Sequence, residues 1–324
     1  MLVQLCFSGW HILGSLSIKQ GVNPLIFALY REIYASILML CFVFFRRIRV
    51  RIDREDALRF TYLGLCSFLN VVLTIIALQY ISPSRYSIMQ PCVPVLASIV
   101  SFLAGLEGIN AMKVVGILSA ASGAVLIETY SRKSHFESNI GLGVALVSIQ
   151  CVSMANLLVF QKPLLHKYDS SLVTFLYYAI GSGFTLVLCA SQITTFTLND
   201  LLFQQKLLPW IALFYVTVVA SLFTYNAIAW AGKYVSPSAL TIYSTLQPLF
   251  TACLAFLFLN QGVAMVQVYG GSLVIVGLIS STYGRYLEGQ HPHLHLSTAE
   301  VLTPNTIKTH VLPPHSAIVV HLVI

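Results

Sequence analysis

Arg31 and Glu32 are the charged side chains of this sequence best placed to do chemistry, because both lie inside an apolar run at residues 24–45. A charge in such a run is costly and marks a candidate functional site. A guanidinium binds anions, and a carboxyl group in apolar surroundings can exchange a proton. Neighbouring helical residues point in different directions. We expect Arg31 to contact an anionic group, unless its side chain extends to a polar interface, and Glu32 to couple to a proton or cation.

Uncharged polar groups inside other apolar runs are candidates for hydrogen bonds to a small molecule. Five polar side chains inside apolar runs are candidate contacts for this molecule: Gln90, Gln247, Asn226, Asn156 and Tyr243. Gln90 and Gln247 are the strongest candidates, because each lies near a proline expected to bend its helix, Pro94 or Pro248. The alternatives are hydrogen bonds between helices for the amides and an aromatic belt at a membrane interface for Tyr243.

Catalytic and metal-binding patterns find little support in this sequence. It contains no Gly-x-Ser-x-Gly, His-Glu-x-x-His or phosphate-binding Gly-Lys-Ser/Thr motif, so we expect neither an enzyme nor an ATP-driven pump. The seven cysteines lie in apolar runs without a Cys-x-x-Cys pair, which favours buried thiols. His291, His293 and His295 near the C-terminus make only a weak metal site. We expect no cofactor and no bound metal.

The composition indicates a membrane protein. Hydrophobic residues make up 57% of the chain and charged residues 9%, and the mean hydropathy is +0.82. A soluble protein could not bury so much apolar surface, so lipid is the expected solvent. The net charge of +7 does not indicate nucleic-acid binding, since the basic residues lie between apolar runs.

Ten apolar runs are long enough to cross a bilayer as helices. They lie at 3–18, 24–45, 58–80, 84–106, 111–128, 140–160, 171–191, 208–230, 237–258 and 264–283. With the N-terminus in the cytoplasm, cytoplasmic segments contain 12 of the 18 Lys and Arg residues, which favours this orientation. Residues 289–324 form no apolar span and are expected to be a disordered cytoplasmic tail.

An internal repeat organises the chain, because residues 80–128 return at 234–282 with a constant offset of 154. Tyr80-Ile81-Ser82-Pro83-Ser84 matches Tyr234-Val235-Ser236-Pro237-Ser238, and a proline and three glycines also coincide. The two Ser-Pro-Ser turns are five predicted spans apart, so the copies should enter the membrane in opposite directions. Inverted repeats of this kind are common in secondary transporters, which bind their solute near the midplane between the two halves.

These features resemble the EamA repeats of the drug/metabolite transporter superfamily: a Ser-Pro-Ser turn, a proline-bearing helix, Leu106-Glu107-Gly108 or Asn260-Gln261-Gly262, and a Gly-x6-Gly helix. Gly21-Val22-Asn23-Pro24, followed by Phe27-Ala28-Leu29-Tyr30, resembles the plant walls-are-thin-related, or nodulin-like, branch. The resemblance covers residues 3–285. The second copy departs from it at Gln261, where the family commonly has glutamate.

The resemblance implies alternating-access movement of small organic solutes, with amino acids and auxin-type indoles as typical cargo of the plant branch. It also implies a cavity lined mainly by spans 1, 3, 4, 6, 8 and 9. This supports Gln90, Asn156, Asn226 and Gln247 as contacts and weakens the case for direct contact by Arg31 and Glu32. The two five-helix repeats would occupy residues 1–135 and 136–288.

The sequence therefore predicts an all-α integral membrane protein with ten transmembrane helices in two inverted repeats. The expected function is secondary transport of amino acids or auxin-like organic acids, in the plasma membrane or in an endomembrane such as that of the vacuole. The expected partners are lipid, the solute and protons. A nucleotide-sugar or sugar-phosphate exchanger of the same superfamily is the alternative within transport. A receptor or scaffold is the alternative outside it.

Overall fold

The computed structural model describes residues 1–48, 52–106, 139–192 and 196–259, with parts of 111–123 and 269–280. All regular secondary structure in these residues is helical. The α-helices are α1 (Leu2–Lys19), α2 (Pro24–Phe45), α3 (Ala57–Tyr80), α4 (Pro83–Met89), α5 (Cys92–Leu103), α6 (Ile140–Lys167), α7 (Ser170–Ser191), α8 (Leu198–Leu201), α9 (Leu207–Tyr215), α10 (Thr224–Gly232), α11 (Pro237–Ile242) and α12 (Gln247–Leu259). Short 3₁₀ helices cover Arg54–Asp56, Phe203–Gln205 and Tyr243–Leu246, and a π-helical segment covers Val216–Phe223.

Six helical stretches of the described residues are long and apolar enough to cross a membrane. They are Pro24–Phe45, Arg54–Tyr80, Arg85–Leu103, Ile140–Lys167, Ser170–Ser191 and Leu207–Gly232. Helix α1 follows the predicted span at 3–18 but buries several polar side chains and is not among the six. About half of each predicted span at 111–128 and 264–283, and the whole tail at 289–324, lie outside the described residues. The chain is a multi-pass membrane protein in contact with lipid.

Capping side chains explain where several helices begin. The Asn23 side chain accepts a hydrogen bond from the Leu25 backbone N–H at 3.0 Å, and Pro24 occupies the first turn of α2, where its missing N–H costs nothing. The Asp169 side chain caps α7 in the same way through the Ser171 N–H, at 2.9 Å. These caps start α2 and α7 only a few residues after the ends of α1 and α6.

The two copies of the repeat share a local conformation in the described residues. Ser82 and Ser236 precede α4 and α11 with the same backbone angles, φ −72° and ψ 155°, and each is followed by a proline in the first helical turn. Both spans are then interrupted. The first breaks at Gln90 and Pro91, between α4 and α5, and the second narrows to the 3₁₀ helix Tyr243–Leu246 before α12.

Two hydrogen bonds join residues at equivalent positions of the two copies. The Ser244 hydroxyl donates to the Gln90 carbonyl oxygen at 3.1 Å, and the Ser119 hydroxyl donates to the Leu273 carbonyl oxygen at 3.5 Å. Each pair is 154 residues apart, which is the offset of the repeat. The interrupted helices of the two copies therefore meet at the first of these contacts.

Helix α3 lies at the centre of the bundle and packs against α6 and α7, while α2 packs against α7. A close approach of α3 and α7 depends on Gly64, because a Cβ atom there would lie 2.4 Å from the Ile180 side chain. The main apolar core of the described residues includes Trp10, Phe27, Leu63, Ile75 and Tyr178, all at most 2% exposed. This packing encloses polar groups from several helices.

A charged cluster joins the loop before α3 to the end of α6. Asp56 accepts hydrogen bonds from the Lys167 ammonium at 2.6 Å, the Tyr168 hydroxyl at 2.8 Å and the Arg59 guanidinium at 3.2 Å. Lys167 also pairs with the more exposed Asp53 at 2.5 Å. Since Asp53 and Asp56 belong to the first half of the chain and Lys167 to the second, the cluster ties the two halves together at one face of the bundle.

We expect Asp56→Ala to lower the Tm of the detergent-solubilised protein more than Asp53→Ala does. The Asp56 side chain is 4% exposed and has three partners, whereas the Asp53 side chain is 63% exposed, and exposed ion pairs contribute little. Thermal unfolding of the two variants under one set of conditions measures the difference. Equal Tm values would mean that the cluster does not connect the halves as described.

Candidate functional site

A small polar cavity lies where α1, α2, α3, α6 and α10 meet the interrupted helices. Its volume is about 40 Å³, which is room for roughly three water molecules. The residues around it are Phe7, Trp10, His11, Arg31, Asn70, Thr74, Tyr86, Gln90, Gln150, Met154, Tyr225 and Gln247. The cavity thus combines one permanent cation, four amide side chains and five aromatic rings.

Three amides and a tyrosine form a directed chain of hydrogen bonds along the cavity. Gln90 Nε2 donates to Gln150 Oε1 at 3.2 Å, Gln150 Nε2 donates to Asn70 Oδ1 at 2.7 Å, and Asn70 Nδ2 donates to the Tyr225 hydroxyl at 2.7 Å. All four side chains are at most 5% exposed. The chain links the break after α4 to α6, α3 and α10, and it fixes the orientation of each amide.

A second group of polar side chains surrounds Tyr86. The hydroxyls of Tyr86 and Thr74 lie 2.9 Å apart, and the ring of His11 meets the ring of Tyr86 edge-on with a centroid distance of 4.5 Å. His11 Nδ1 is buried without a hydrogen-bond partner among the described residues. Buried polar atoms are nearly always hydrogen-bonded, and a solute or water in the cavity would provide the missing partner of His11 Nδ1.

Arg31 supplies the positive charge of the cavity. Its guanidinium lies over the Trp10 ring, with the central carbon 5.3 Å from the ring centroid, and Nε donates to the Ser221 hydroxyl at 3.3 Å. The residue is 3% exposed. No carboxylate of the described residues forms an ion pair with it. A buried cation without a counter-charge is costly, and a bound anion would offset that cost.

Glu32 lies outside the cavity, although it adjoins Arg31 in sequence. Its side chain is fully buried between α2 and α7, where one carboxylate oxygen accepts a hydrogen bond from the Thr185 hydroxyl. The other oxygen has no partner among the described residues. A carboxyl group in this setting is more easily buried when it carries a proton.

Gln247 extends the polar lining to α1. Its Nε2 donates to Gln4 Oε1 at 2.7 Å, and its carbonyl oxygen accepts from the Ser8 hydroxyl at 3.3 Å. Its side-chain oxygen Oε1 has no partner in the described part of the chain. Gln247 Oε1 can therefore accept a hydrogen bond from a molecule in the cavity, while Nε2 donates to Gln4 on α1.

The structure brings three of the predicted contacts, Gln90, Gln247 and Arg31, to one cavity and places the other three elsewhere. Asn156 accepts from the Tyr62 hydroxyl at 3.0 Å and donates to the Val152 carbonyl. Asn226 donates to the Leu222 carbonyl, one turn earlier in its own span. Tyr243 is buried in a separate apolar cluster with Ala231, Leu240 and Leu246.

The two prolines expected to bend their helices lie just after the interruptions. Pro94 is in the first turn of α5, and Pro248 is the second residue of α12. A proline in the first turn lacks only an N–H that has no intrahelical partner. Gln90 lies in the first interruption, at the end of α4, and Gln247 is the first residue of α12, directly after the second interruption.

Several cavity residues were not selected from the sequence. Asn70, Gln150 and Tyr225 belong to the chain of hydrogen bonds that begins at Gln90. Trp10 lies beside the Arg31 guanidinium, and the rings of His11 and Tyr86 contact each other. Asn70 and Gln150 are visible in the sequence as amides within apolar runs, the same signal that indicates Gln90. The signal does not show which of several amides face the same cavity.

Channels, transporters and receptors all include helical, multi-pass membrane proteins with a polar cavity among the helices. The family model described as the EamA-like transporter family matches residues 1–129 and 141–283. The chain belongs to this family, and it is a membrane transporter of the drug/metabolite superfamily.

Similar proteins agree with this assignment and point to the plant walls-are-thin-related branch. A WAT1-related protein of Arabidopsis thaliana is 26% identical over 318 residues, covering 88% of this chain and 79% of the relative. Protein WALLS ARE THIN 1 of the same plant is 23% identical over 327 residues, covering 88% and 82%. A solved crystal structure matches with a TM-score of 0.67 at 14% identity, covering 89% of this chain and 98% of the other, which shows a shared fold.

Proposed function

We propose that this protein is a secondary transporter that moves small organic metabolites, amino acids or auxin-like organic acids, by alternating access. The observation that carries the proposal is the buried cavity in which Arg31, Gln90 and Gln247 meet around an uncompensated positive charge. Amino acids and auxin-like organic acids offer one anionic group for the Arg31 guanidinium and an apolar body for the aromatic rings. The cavity lining contains both the cation and the aromatic rings.

Two inverted five-helix repeats, residues 1–135 and 136–288, are part of the proposal. Three observations support them: the repeated sequence, the matching backbone angles at Ser82 and Ser236, and the contact between the equivalent residues Ser244 and Gln90. Residues on an approximate twofold axis contact their own equivalents, so this hydrogen bond is expected beside such an axis. The cavity borders Gln90 and would then lie between the repeats, as in other secondary transporters.

The size of the cavity supports a mechanism in which helices move. Space for about three water molecules is too little for an amino acid or an organic acid. The helices around the cavity must separate before a solute enters. The interruptions after α4 and α11 provide positions where half-helices can change direction without breaking a regular hydrogen-bond ladder.

The charge of the cavity favours a singly charged anionic group over a diphosphate. Arg31 is the lining residue with a permanent charge, and a nucleotide sugar would require further cations for its phosphates. The plasma membrane is the proposed site of action, and protons are the proposed coupling ion.

Uptake by proteoliposomes tests the function. The assay uses purified protein with labelled amino acids, an indole carboxylic acid and a nucleotide sugar, with and without an imposed pH gradient. The proposal requires saturable uptake of at least one amino acid or organic acid and little uptake of the nucleotide sugar. Exchange of the nucleotide sugar alone would contradict the substrate class, and no flux of any solute by folded protein would contradict transport.

Glu32→Gln should separate coupling from binding. The amide keeps the shape of the carboxyl group but cannot exchange a proton, and Glu32 lies outside the solute cavity. We expect gradient-driven accumulation to fall to the level without a gradient, while exchange of labelled for unlabelled solute continues. Loss of exchange and accumulation together, or retention of both, would contradict a coupling role.

Thr185→Val removes the hydroxyl that donates to the Glu32 carboxylate. We expect this variant to shift the pH dependence of accumulation and to keep accumulation itself.

A further inference from the structure

We infer that Ser221, on the π-helical segment Val216–Phe223, is a positioning residue that makes Arg31 bind the solute anion end-on through its two terminal nitrogens. This inference rests on the proposed function and specifies how the same cavity recognises the charge of its solute. Ser221 does not line the cavity, so it acts through Arg31.

The contacts of Arg31 restrict which edge of the guanidinium is available. An arginine offers an anion either the side edge, formed by Nε and one terminal nitrogen, or the end, formed by Nη1 and Nη2. Nε already donates to the Ser221 hydroxyl, and the central carbon of the group lies over the Trp10 ring. Neither terminal nitrogen donates a hydrogen bond to another described residue. The end of the guanidinium is therefore the edge that remains for an anion in the cavity.

The π-helical segment explains how a serine reaches this position. A π turn closes with an i→i+5 hydrogen bond and is therefore wider than an α turn, and such segments occur frequently at functional sites. Helix α2 packs directly against the segment. Ser221 is fully buried and contacts Arg31, while Tyr225, four residues later, lines the cavity. The segment thus presents a hydroxyl to the guanidinium, and α10, which follows it directly, presents a phenol to the amide chain.

Trp10 provides a second restraint on the guanidinium and also a reporter. Its ring stacks on Phe27 with a centroid distance of 5.6 Å and an interplanar angle of 18°, so it cannot turn easily. The central carbon of the Arg31 guanidinium lies 5.3 Å from the centroid of the same ring, and attraction to the ring restrains the cation there. With Trp10 and Ser221 both in place, the end of the guanidinium keeps one orientation before the solute arrives, which reduces the entropic cost of binding.

The test uses the full chain with Trp210→Phe and Trp230→Phe, so that Trp10 is the remaining tryptophan of the three. Binding of phenylacetate, and of its neutral analogue phenylacetamide, is measured by Trp10 fluorescence in detergent. We expect Ser221→Ala to raise the Kd of phenylacetate about fivefold, a typical effect of one hydrogen bond, and to leave the Kd of phenylacetamide unchanged. Ser221→Thr retains the hydroxyl and should restore binding of the anion.

Thr217→Val is the matched control, because Thr217 is buried on the same π-helical segment and its hydroxyl has no partner among the described residues. It should leave both Kd values unchanged. An equal loss in Thr217→Val and Ser221→Ala, an equal loss of acid and amide, or no change in Ser221→Ala would overturn the positioning role while the proposed function stands. If the parent protein binds neither phenylacetate nor L-phenylalanine, both the positioning role and the anion site are wrong.

Discussion

Replacement of Arg31 by glutamine should abolish high-affinity uptake of anionic solutes without lowering the Tm of the protein. A hydrogen bond to a charged group contributes about 1.5–3 kcal/mol, so we expect the KM to rise roughly 10- to 100-fold. The guanidinium has no carboxylate partner among the described residues, so its removal breaks no ion pair, and relief of a buried charge offsets the lost hydrogen bond to Ser221. Concentration-dependent uptake and thermal unfolding of the same preparation measure the two effects.

Arg31→Lys and Arg46→Gln are the controls for this prediction. Lysine keeps the charge but loses the paired terminal nitrogens, so part of the affinity should remain. Arg46 follows α2, where it donates to Ser171 at 3.4 Å and lies over Phe42, far from the cavity lining. Its replacement should leave uptake intact. Normal uptake by Arg31→Gln, or a Tm well below that of the parent protein, would contradict the assigned role.

Asn70→Leu should be the most destabilising single substitution in the cavity and should also eliminate uptake. Asn70 is the centre of the amide chain, since it donates to Tyr225 and accepts from Gln150. Leucine keeps the branching of asparagine at Cγ but leaves both partners buried without a hydrogen bond, at a cost of about 1–3 kcal/mol for each. Denaturant unfolding in detergent measures the loss of stability, and binding of labelled solute measures the loss of the site.

Asn156→Leu is the matched control for stability. It also removes an asparagine from a membrane helix, but its two hydrogen bonds lie at a more exposed position on α6. Its effect should be well under half that of Asn70→Leu. The double variant Asn70→Leu with Gln150→Leu should be less destabilised than the sum of the single variants, because the two side chains share one hydrogen bond. Additive effects would mean that the amides do not form one chain.

The class of protein and its cation could be predicted from the sequence because they depend on local composition. Apolar runs of bilayer length predict helices whatever their packing, and Arg31 is conspicuous within such a run. The different directions of the Arg31 and Glu32 side chains could be predicted from helical geometry alone. Arg31 and Glu32 indeed face different surroundings, one the cavity and the other Thr185 on α7.

The positions of the helix interruptions and the membership of the cavity could not be predicted with the same accuracy. A proline is compatible both with a bend and with the first turn of a new helix, and Pro94 and Pro248 occupy first turns. Asn70, Asn156 and Asn226 look alike in sequence. The rotation of each helix about its axis decides which amide reaches the cavity, and that rotation depends on contacts between distant segments such as α3 with α6 and α7.

The π-helical segment could not be predicted from the sequence either. Val216, Thr217, Val218 and Val219 are β-branched residues that fit an α-helix less well, but no short pattern predicts a π turn at this point. The contact between Ser221 and Arg31 joins positions 190 residues apart. Arg31 is conspicuous in the sequence, but Ser221 is an ordinary member of an apolar run, and only the fold brings the two together.

A structure with bound solute tests the central claim most directly, namely that the solute occupies the cavity between the interrupted helices. The protein is prepared with 4-iodophenylacetate, whose iodine can be located independently of the carboxylate. We predict that the carboxylate lies against the terminal nitrogens of Arg31, with the ring among Trp10, Tyr86 and Tyr225 and the cavity enlarged by separation of the surrounding helices. Solute bound elsewhere in the chain, with the cavity still closed around Gln90 and Gln247, would contradict it.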